Sequence, residues 1–377
     1  MLQQLSFTQD GRVRDKVQAS IDILKMFEPP DGYYLAFSGG KDSQCIYHLA
    51  KMAGVKFDAH YNVTSVDPPE LVRFIKDQYP DVSIDIPHDA DGKPITMWNL
   101  IAQHTIPPTR KVRYCCSGLK EINGKYRVVL TGVRKSESIN RKKNQGMVTI
   151  QNKSKRLRKE LEERGVDFTQ TDRGGVVLNY DNDNSKLMVE HCYRTTKTLV
   201  NPIIDWEEED VWAFLNENGI PHCSLYDEGF KRLGCIGCPM SGSKNMARDF
   251  ERWPKYKELY IRAFQKMIDN HPGDIKVLNP DADTKFKITD KSSGGGTMDG
   301  VVDQVLLVNG SGGTYTVLTD EKCSGGGTGT VLPMVATQHG LNTSSETGKT
   351  TAECGTALSE QSVAMLIFDR YVEMGAI

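Results

Sequence analysis

The sequence predicts an α/β fold, a doubly wound and mostly parallel sheet with a Gly-rich β-type insertion near the C-terminus. Apolar strand-like runs alternate with amphipathic helical segments through the first part of the chain, which is typical of strand–helix–strand units. After residue 275 the chain becomes rich in Gly, Ser and Thr and poor in charge. We expect an α/β domain at 1–275, an insertion or appendage at 276–355, and a C-terminal helix at 356–377 that returns to the α/β domain.

Periodicity predicts the elements of the first third of the chain in order. An amphipathic helix precedes a buried strand, and two further helix patterns follow a second strand. The predicted segments are a helix at 14–28, a strand Tyr33–Phe37, a helix Gln44–Lys51, a strand Val55–Val63, a helix Glu70–Tyr79 and a helix Thr96–His104.

The turn between the first strand and its helix carries an anion-binding pattern. It reads Ser38, Gly39, Gly40, Lys41, Asp42 and Ser43. The first N–H groups of a helix lack intrahelical partners and carry the positive end of its dipole. Glycine lets the backbone approach a phosphate closely, while the serines add hydroxyl donors and Lys41 adds a charge. The spacing differs from the Walker A pattern.

A second anion-binding turn is predicted after the strand Arg127–Thr131. It contains Gly132, Arg134, Glu137, Ser138 and Arg141. The planar fork of an arginine binds two phosphate or sulfate oxygens at once, and Glu137 could orient one of these arginines. The carboxyl ends of parallel strands lie at one edge of a sheet, where ligands bind. We therefore expect both turns to form one site.

The middle of the chain combines a basic segment with further helices and strands. Residues 141–159 are rich in Lys and Arg. Most such runs are solvated faces, and contact with a nucleic acid is the alternative. The other predicted segments are a helix Lys153–Glu163, a surface hairpin or insertion Gln170–Ser185, a strand Leu199–Ile204, a helix Trp206–Glu217 capped by Asp205, a helix Glu251–Asp269 and a last helix Ser359–Glu373.

Composition limits the classes of partner and the compartment. The chain has 377 residues, 25% of them charged, and a formal net charge of −2, so the overall balance indicates no polyanionic partner. No apolar run reaches the roughly 18–20 residues of a membrane span, and residues 1–10 lack the features of a signal peptide. We expect a cytoplasmic protein without a membrane partner, as a monomer or an oligomer. Its nine cysteines are then not expected to form structural disulfides, and the clustered ones are expected to bind metal or to be catalytic.

The cysteine pattern predicts a metal or redox site. Cys235 and Cys238 form a Cys-x-x-Cys in Gly-rich backbone, and an adjacent pair, Cys115 and Cys116, lies among cations. An iron–sulfur cluster, a zinc site with sulfur ligands and a dithiol redox pair without metal are the alternatives. Adjacent cysteines can both ligate only if the backbone bends sharply between them, so Cys223 is the reserve ligand.

These motifs together resemble the phosphoadenosine phosphosulfate (PAPS) reductase family of the PP-loop ATP-pyrophosphatase, or adenine nucleotide alpha-hydrolase, superfamily. The resemblance covers about residues 12–270 and the last helix. It implies that both turns bind an adenine nucleotide, with Lys41, Asp42 and Arg134 as catalytic residues. It also implies a [4Fe–4S] cluster, because the cysteine pattern looks like the ligand set of adenylyl-sulfate reductases.

Two departures from the reductase pattern bear on the reaction. The complete loop, with Lys41 and Asp42, is similar to members that cleave ATP between its α- and β-phosphates, such as the small subunit of sulfate adenylyltransferase and the sulfur-transfer subunit of DNA phosphorothioation systems. Reductases carry a catalytic cysteine in Glu-Cys-Gly-Leu-His. Here Glu353-Cys354-Gly355 continues as Thr356-Ala357, which favours a chance tripeptide over a nucleophilic Cys354.

The resemblance therefore implies an enzyme that binds ATP or an adenylyl sulfate (APS or PAPS), with Mg²⁺, and performs sulfur-related adenylyl or sulfur transfer or reduction. One alternative is an ATP-pyrophosphatase sulfurtransferase acting on nucleic acid, in phosphorothioation or tRNA thiolation. Another is a non-catalytic nucleotide- or nucleic-acid-binding protein of a phage or mobile element.

Overall fold

The structure is a computed structural model that describes most of the chain up to residue 271 and short segments beyond it. The described residues are 5–7, 13–172, 174–180, 182–192, 196–271, 304–309, 314–319, 328–330, 351–353, 357–359, 364–365, 367–369 and 371–372. They belong to two compact units. The first draws on residues 1–63, 67–87 and 120–234, and the second on 64–66, 88–119 and 235–377.

An eight-stranded sheet forms the centre of the first unit, in the order β5-β4-β3-β6-β10-β7-β9-β8. The first five strands in this order are parallel, and the remaining three pair antiparallel. This confirms the predicted α/β fold with a mostly parallel sheet. The strands are β3 (Tyr33–Ala36), β4 (Phe57–Asn62), β5 (Ser83–Asp85), β6 (Val128–Leu130), β7 (Val148–Ile150), β8 (Phe168–Gln170), β9 (Val176–Leu178) and β10 (Thr198–Val200). A separate hairpin pairs β1 (Leu5–Phe7) with β2 (Val13–Asp15).

Three helices of the first unit begin at a side chain that accepts hydrogen bonds from their free N–H groups. Asp15, Ser138 and Ser154 accept hydrogen bonds at the starts of α1, α5 and α6. Helix α1 packs against α2, and α2 packs against α8. The helices are α1 (Lys16–Met26), α2 (Lys41–Ala53), α3 (Pro69–Gln78), α5 (Ile139–Asn144), α6 (Lys155–Glu163), α7 (Asp183–Cys192) and α8 (Glu208–Glu217).

Three sequence predictions in this unit need correction. Helix α2 begins at Lys41 rather than Gln44, so the anion-binding turn supplies its first residues. Asp205 does not cap α8, because Glu207 is the N-cap and Asp205 pairs with Lys135 instead. The segment predicted as a surface hairpin or insertion does contain a hairpin, which pairs β8 with β9, but β9 also pairs with β7 within the main sheet, and the segment ends in the start of α7.

The second unit is built on helices with an aromatic core. Trp98 on α4 (Met97–Gln103) stacks edge-on against Tyr260 on α10 (Pro254–Asn270), with 5.2 Å between the ring centroids. The prediction of a single helix Glu251–Asp269 is wrong about where that helix begins. One helix, α9 (Ser243–Arg252), ends before Trp253, and α10 begins at Pro254, since proline is favoured in a first turn and has no N–H to continue a helix.

The last helix packs against this core. Helical residues occur at 364–365, 367–369 and 371–372. Phe368 lies 4.8 Å from Phe250, and Tyr371 lies 5.3 Å from Tyr260, measured between ring centroids. Burial of these large rings accounts for the docking.

Little of the Gly-rich segment is described. Strands β11 (Gln304–Asn309), β12 (Thr314–Thr319) and β15 (Ala357–Ser359) form an antiparallel sheet, and β13 (Thr328–Thr330) pairs with β14 (Thr351–Glu353). The strand-like piece at 331–336 and Cys354 lie outside the described residues. Within the described residues, no helix is long and apolar enough to cross a membrane. The three predicted parts of the chain stay a prediction.

Candidate functional site

The loop 38–43 is shaped by glycine and by a serine hydroxyl. Gly39 has φ +70°, and a Cβ there would lie 2.7 Å from Ile75 on α3, so only glycine fits. The hydroxyl of Ser43 donates to the carbonyl of Gly40 at 2.8 Å and accepts from the N–H of Ser38 at 3.2 Å. Hydrogen bonds within the loop itself therefore stabilise the strand–turn–helix geometry that the sequence predicts.

Lys41 is buried and held by internal partners. Its side chain is only 4% exposed. The ammonium donates to the carbonyl of Lys231 at 2.8 Å and lies 3.4 Å from the carboxylate of Glu208. The backbone N–H of Lys41 donates to the hydroxyl of Tyr226 at 2.9 Å. A phosphate at this helix N-terminus would contact the ammonium and the backbone N–H of Lys41. Both groups are already hydrogen-bonded to residues far along the chain.

The second predicted turn lies directly against the first turn of α2. A Cβ at Gly132 would come within 2.9 Å of the carbonyl of Asp42, so a side chain there would force the two turns apart. The guanidinium of Arg134 donates to Asp42 at 2.7 Å and to the hydroxyl of Ser136 at 2.9 Å. The structure thus brings together Lys41, Asp42 and Arg134, the three predicted catalytic residues.

Acidic and basic groups alternate around Arg134. Burial alone would lower its pKa, but Asp42, Glu137 and Glu208 raise it above the ordinary value. Arg141 pairs with Glu137, and Ser138 caps α5, as residues of the predicted second turn. Burial lowers the pKa of Arg141, and the nearby positive charge of Arg232 acts in the same direction. Arg134, Arg141 and Arg232 are therefore close enough to influence one another electrostatically.

Sequence reasoning missed three groups of this site. Tyr226, Glu208 and Arg232 all contact or influence the predicted residues. Tyr226 and Glu208 were not predicted to be functional, and Arg232 was expected beside the cysteines, as a cation that draws an anionic nucleotide toward them. Tyr226 lies in a 3₁₀ turn, Ser224–Tyr226. The signal that could have found it is its position shortly before the Cys-x-x-Cys motif, in a stretch without helical or strand periodicity.

In the second unit, the backbone between Cys235 and Cys238 is fixed at every polar group. The N–H and carbonyl of Ile236 bond to the carbonyl of Val66 at 2.8 Å and the hydroxyl of Tyr260 at 3.1 Å. The N–H and carbonyl of Gly237 bond to Asp249 at 3.0 Å and the hydroxyl of Tyr371 at 2.6 Å. Gly237 has φ +67°, and a Cβ would strike Phe250 at 2.3 Å. The turn therefore needs no ligand to hold its shape.

The other cysteine pair is tied to this turn. Arg110 donates to the carbonyl of Pro239 at 3.0 Å, so the segment before Cys115 contacts the residue after Cys238. Arg113 donates to the sulfur of Cys116 at 3.3 Å. A hydrogen bond with Cys116, burial, and the charges that Cys116, Cys235 and Cys238 carry as thiolates all raise the pKa of Cys115.

The thiols influence one another, yet they do not form a completed metal centre. Within the described residues, no group of three or more His, Cys, Asp or Glu side chains is placed to hold a metal ion. Cys223 belongs to the first unit. Burial raises the pKa of its thiol, and the charged groups that add to this shift are the carboxylates Glu70, Glu228 and Asp227. Its role as a reserve ligand stays a prediction.

The first unit has the features of a nucleotide-binding PP-loop protein. A parallel strand ends in a Gly turn and a helix N-terminus, an arrangement suited to binding phosphates, and a neighbouring strand carries an arginine-bearing turn that contacts it. The family follows from comparison. The Phosphoadenosine phosphosulfate reductase domain matches residues 32–241, more than half of the chain, which therefore belongs to that family.

Individual relatives are more distant or match only short segments. The chain is 27% identical to an uncharacterized protein of Methanocaldococcus jannaschii over 241 residues, which cover 62% of this chain but only 46% of that protein. It is 50% identical to an adenosine 5′-phosphosulfate reductase of Neisseria meningitidis over 38 residues, 10% of this chain and 16% of that enzyme. A solved PAPS reductase of Candida auris aligns at 14% identity and a TM-score of 0.35, covering 61% of this chain and 96% of that one.

The buried carboxyl of Asp249 gives a pH-dependent prediction. Burial raises its pKa to about 6, although the N–H of Gly237 and the charge of Arg248 act to lower it. Because this pKa lies above the unfolded value of about 3.9, ionisation costs stability as pH rises from about 4 to about 6. Asp249→Asn keeps an oxygen for Gly237 and stays neutral, so we expect it to stabilise the protein by about 1–3 kcal/mol above pH ~6 and by little near pH ~4.

Thermal melting at both pH values checks this prediction. Asp269→Asn, at the exposed end of α10, is the control and should show no such gain. An equal change in melting temperature for Asp249→Asn at both pH values would contradict the sign of the effect.

The hydroxyl of Tyr226 gives a prediction for anion affinity. This hydroxyl accepts a hydrogen bond from the backbone N–H of Lys41. A phosphate that binds to the same N–H must displace the hydroxyl. Loss of one such hydrogen bond costs the free protein about 0.5–1.5 kcal/mol, so Tyr226→Phe should tighten binding of inorganic pyrophosphate by roughly 2- to 10-fold. Isothermal titration measures this, with Tyr180→Phe, an exposed tyrosine, as the control. Weaker binding by Tyr226→Phe would show instead that the hydroxyl contacts the anion.

Proposed function

We propose that the first unit binds the phosphates of ATP or of an adenylyl sulfate and supports transfer at the α-phosphate. The observation that carries this proposal is the contact between the two turns. Gly132 lies against Asp42, and Arg134 pairs with Asp42 at 2.7 Å. Lys41, Arg134 and Arg141 then surround one region at the end of neighbouring parallel strands, which is where ligands of such sheets bind.

ATP is the substrate that the complete loop favours. An acceptor oxygen would attack the α-phosphorus, the bond to the β-phosphate oxygen would break, and pyrophosphate would leave with the bonding electrons. Lys41 and the N–H groups at the start of α2 would stabilise the charge on the departing group. Arg134 would hold the phosphate on the side of the second turn. Adenylyl transfer is followed by a second reaction, either sulfur transfer or reduction. The identity of the acceptor determines which of the two occurs.

A magnesium ion fits this site through Asp42, the predicted catalytic carboxylate. One oxygen of Asp42 accepts from Arg134, and its second oxygen would be the protein ligand. Mg²⁺ usually takes few protein carboxylates and completes its shell with phosphate oxygens and water. When bound, it supplies positive charge to the leaving pyrophosphate.

We further propose that Cys115, Cys116, Cys235 and Cys238 provide the ligands of a [4Fe–4S] cluster, with zinc as the alternative. The raised pKa of the Cys115 thiol supports a cationic occupant, because Cys116, Cys235 and Cys238 as thiolates contribute to it, and thiolates held close together repel one another until a cation binds them. When bound, the cluster would supply electron transfer or a structural link. The protein itself contributes the fixed Cys235–Cys238 turn and Arg113, which donates to Cys116.

Pyrophosphate release from ATP tests the nucleotide proposal. Lys41→Ala removes a buried cation beside the departing group, so we expect kcat to fall by about 10²- to 10³-fold. Lys51→Ala, an exposed lysine on the same helix, is the matched control and should keep kcat within about twofold. Absence of ATP, APS and PAPS binding by the unaltered protein would contradict the proposed function.

Metal analysis after anaerobic purification tests the cysteine proposal. Cys235→Ser should lose most of the bound iron and sulfide, or most of the zinc if that is the occupant, because one of the few thiolate ligands is gone. Cys192→Ser is the control. Cys192 is buried on α7 in the first unit and is not one of the proposed ligands. A Cys235→Ser protein with its full metal content would contradict ligation by Cys235.

A further inference from the structure

The first unit carries a strongly basic segment, of which only Arg141 belongs to the candidate nucleotide site. Residues 141–159 contain eight cations and no Asp or Glu, whereas the whole chain has a net charge of −2. Positive charge is therefore concentrated in one short segment. The cations are Arg141, Lys142, Lys143, Lys153, Lys155, Arg156, Arg158 and Lys159.

Most of these cations face solvent without an ion pair. Arg141 pairs with Glu137, and Lys159 lies near Glu163. The other six have exposed or half-exposed side chains, and none forms an ion pair with any residue that the structure describes. We call these six the basic surface: Lys142, Lys143, Lys153, Lys155, Arg156 and Arg158.

The packing of α6 explains why its cations remain exposed. Leu157 and Leu161 are buried at 5% and 0% exposure, so they fix the inner face of the helix. Ser154 caps the helix by accepting from the N–H of Arg156 at 3.1 Å. The charged side chains are thus held on an ordered helix, and the apolar ones are already used in the core.

The basic surface is continuous with the candidate nucleotide site in the chain and in space. Helix α5 carries Lys142 and Lys143 and starts at Ser138, a residue of the second anion turn. Arg141, on the same helix, pairs with Glu137 of that turn. On the other side, Lys153 lies next to the turn between β8 and β9, where a Cβ at Gly174 would be 3.3 Å from its side chain.

We propose that the basic surface binds the phosphate backbone of a nucleic acid. Its cations lie on α5, on α6 and, for Lys153, just before α6, and the buried strand β7 lies between the two helices in the chain. They are therefore distributed over several elements rather than gathered at one helix N-terminus. Repeated phosphates along a strand match such a spread. A membrane surface fits less well, because the leucines of α6 are buried and cannot insert. The further step, that this nucleic acid is the acceptor in the nucleotide site, rests on the proposed function.

Fluorescence anisotropy with labelled oligonucleotides of about 20 nucleotides tests the surface without ATP. The full-length protein is titrated with single- and double-stranded DNA and RNA at salt concentrations from about 50 to about 200 mM. The test variant carries Lys155→Ala, Arg156→Ala and Arg158→Ala. The control carries Lys255→Ala, Arg262→Ala and Lys266→Ala, three exposed cations on another helix.

The expected result is salt-dependent binding that the test variant weakens by about 10- to 100-fold, with a salt slope smaller by roughly two to three, since each lost phosphate contact removes about 0.9 from the slope. The control should stay within about twofold of the unaltered protein. Absence of nucleic-acid binding, equal loss in both variants, or tighter binding to poly-glutamate than to any oligonucleotide would overturn the proposal.

A separate arm distinguishes the surface from the proposed reaction. Lys41→Ala should keep its oligonucleotide affinity while it loses pyrophosphate release. If the unaltered protein binds oligonucleotide but neither binds nor cleaves ATP, the proposed function fails and the surface stands. If oligonucleotide stimulates pyrophosphate release by the unaltered protein and not by the test variant, the acceptor role is supported. Equal rates with and without oligonucleotide would overturn that role.

Discussion

The close contact between Gly132 and the first turn of α2 is the constraint on which the candidate nucleotide site depends. With the carbonyl of Asp42 at 2.9 Å from the position of a Cβ, no side chain fits at residue 132. This proximity places the guanidinium of Arg134, which is 5% exposed, on the carboxylate of Asp42. A buried cation without a partner costs several kcal/mol. The ion pair therefore keeps two turns, separated by about ninety residues in the chain, in one arrangement.

The features that could be predicted from the sequence are those with local signals. An apolar strand, two glycines and an amphipathic helix identify the loop around Lys41, and the same logic identifies the turn around Arg134. The rule that parallel strands present their carboxyl ends at one edge then joins the two turns. In the structure β3 and β6 are neighbouring parallel strands. The rule applies only to such strands, so its condition is met. The predicted fold is confirmed for this reason.

The features that could not be predicted depend on distant or very short segments. Tyr226 and Glu208 contact Lys41 although more than 160 residues separate them from it in the chain. Hydrophobic periodicity cannot predict such contacts. Strands β7, β8 and β9 have three residues each, too few for an alternation to be read. The break between α9 and α10 is marked only by Pro254, in a stretch whose apolar spacing continues through it. Tertiary packing decides these cases.

The two candidate sites differ in what a ligand must do on binding. Between Cys235 and Cys238 the backbone polar groups are satisfied by Val66, Asp249, Tyr260 and Tyr371, so the proposed metal would not need to replace any of these bonds. Lys41 and Arg134 instead have protein partners at the positions where phosphate oxygens would bind. A nucleotide must exchange those partners for its own oxygens, and only the difference between the two sets appears as affinity. This exchange also favours phosphates that carry several negative charges. An anion with a single charge cannot replace the carboxylate on Arg134 and the carbonyl and hydroxyl on Lys41 at the same time.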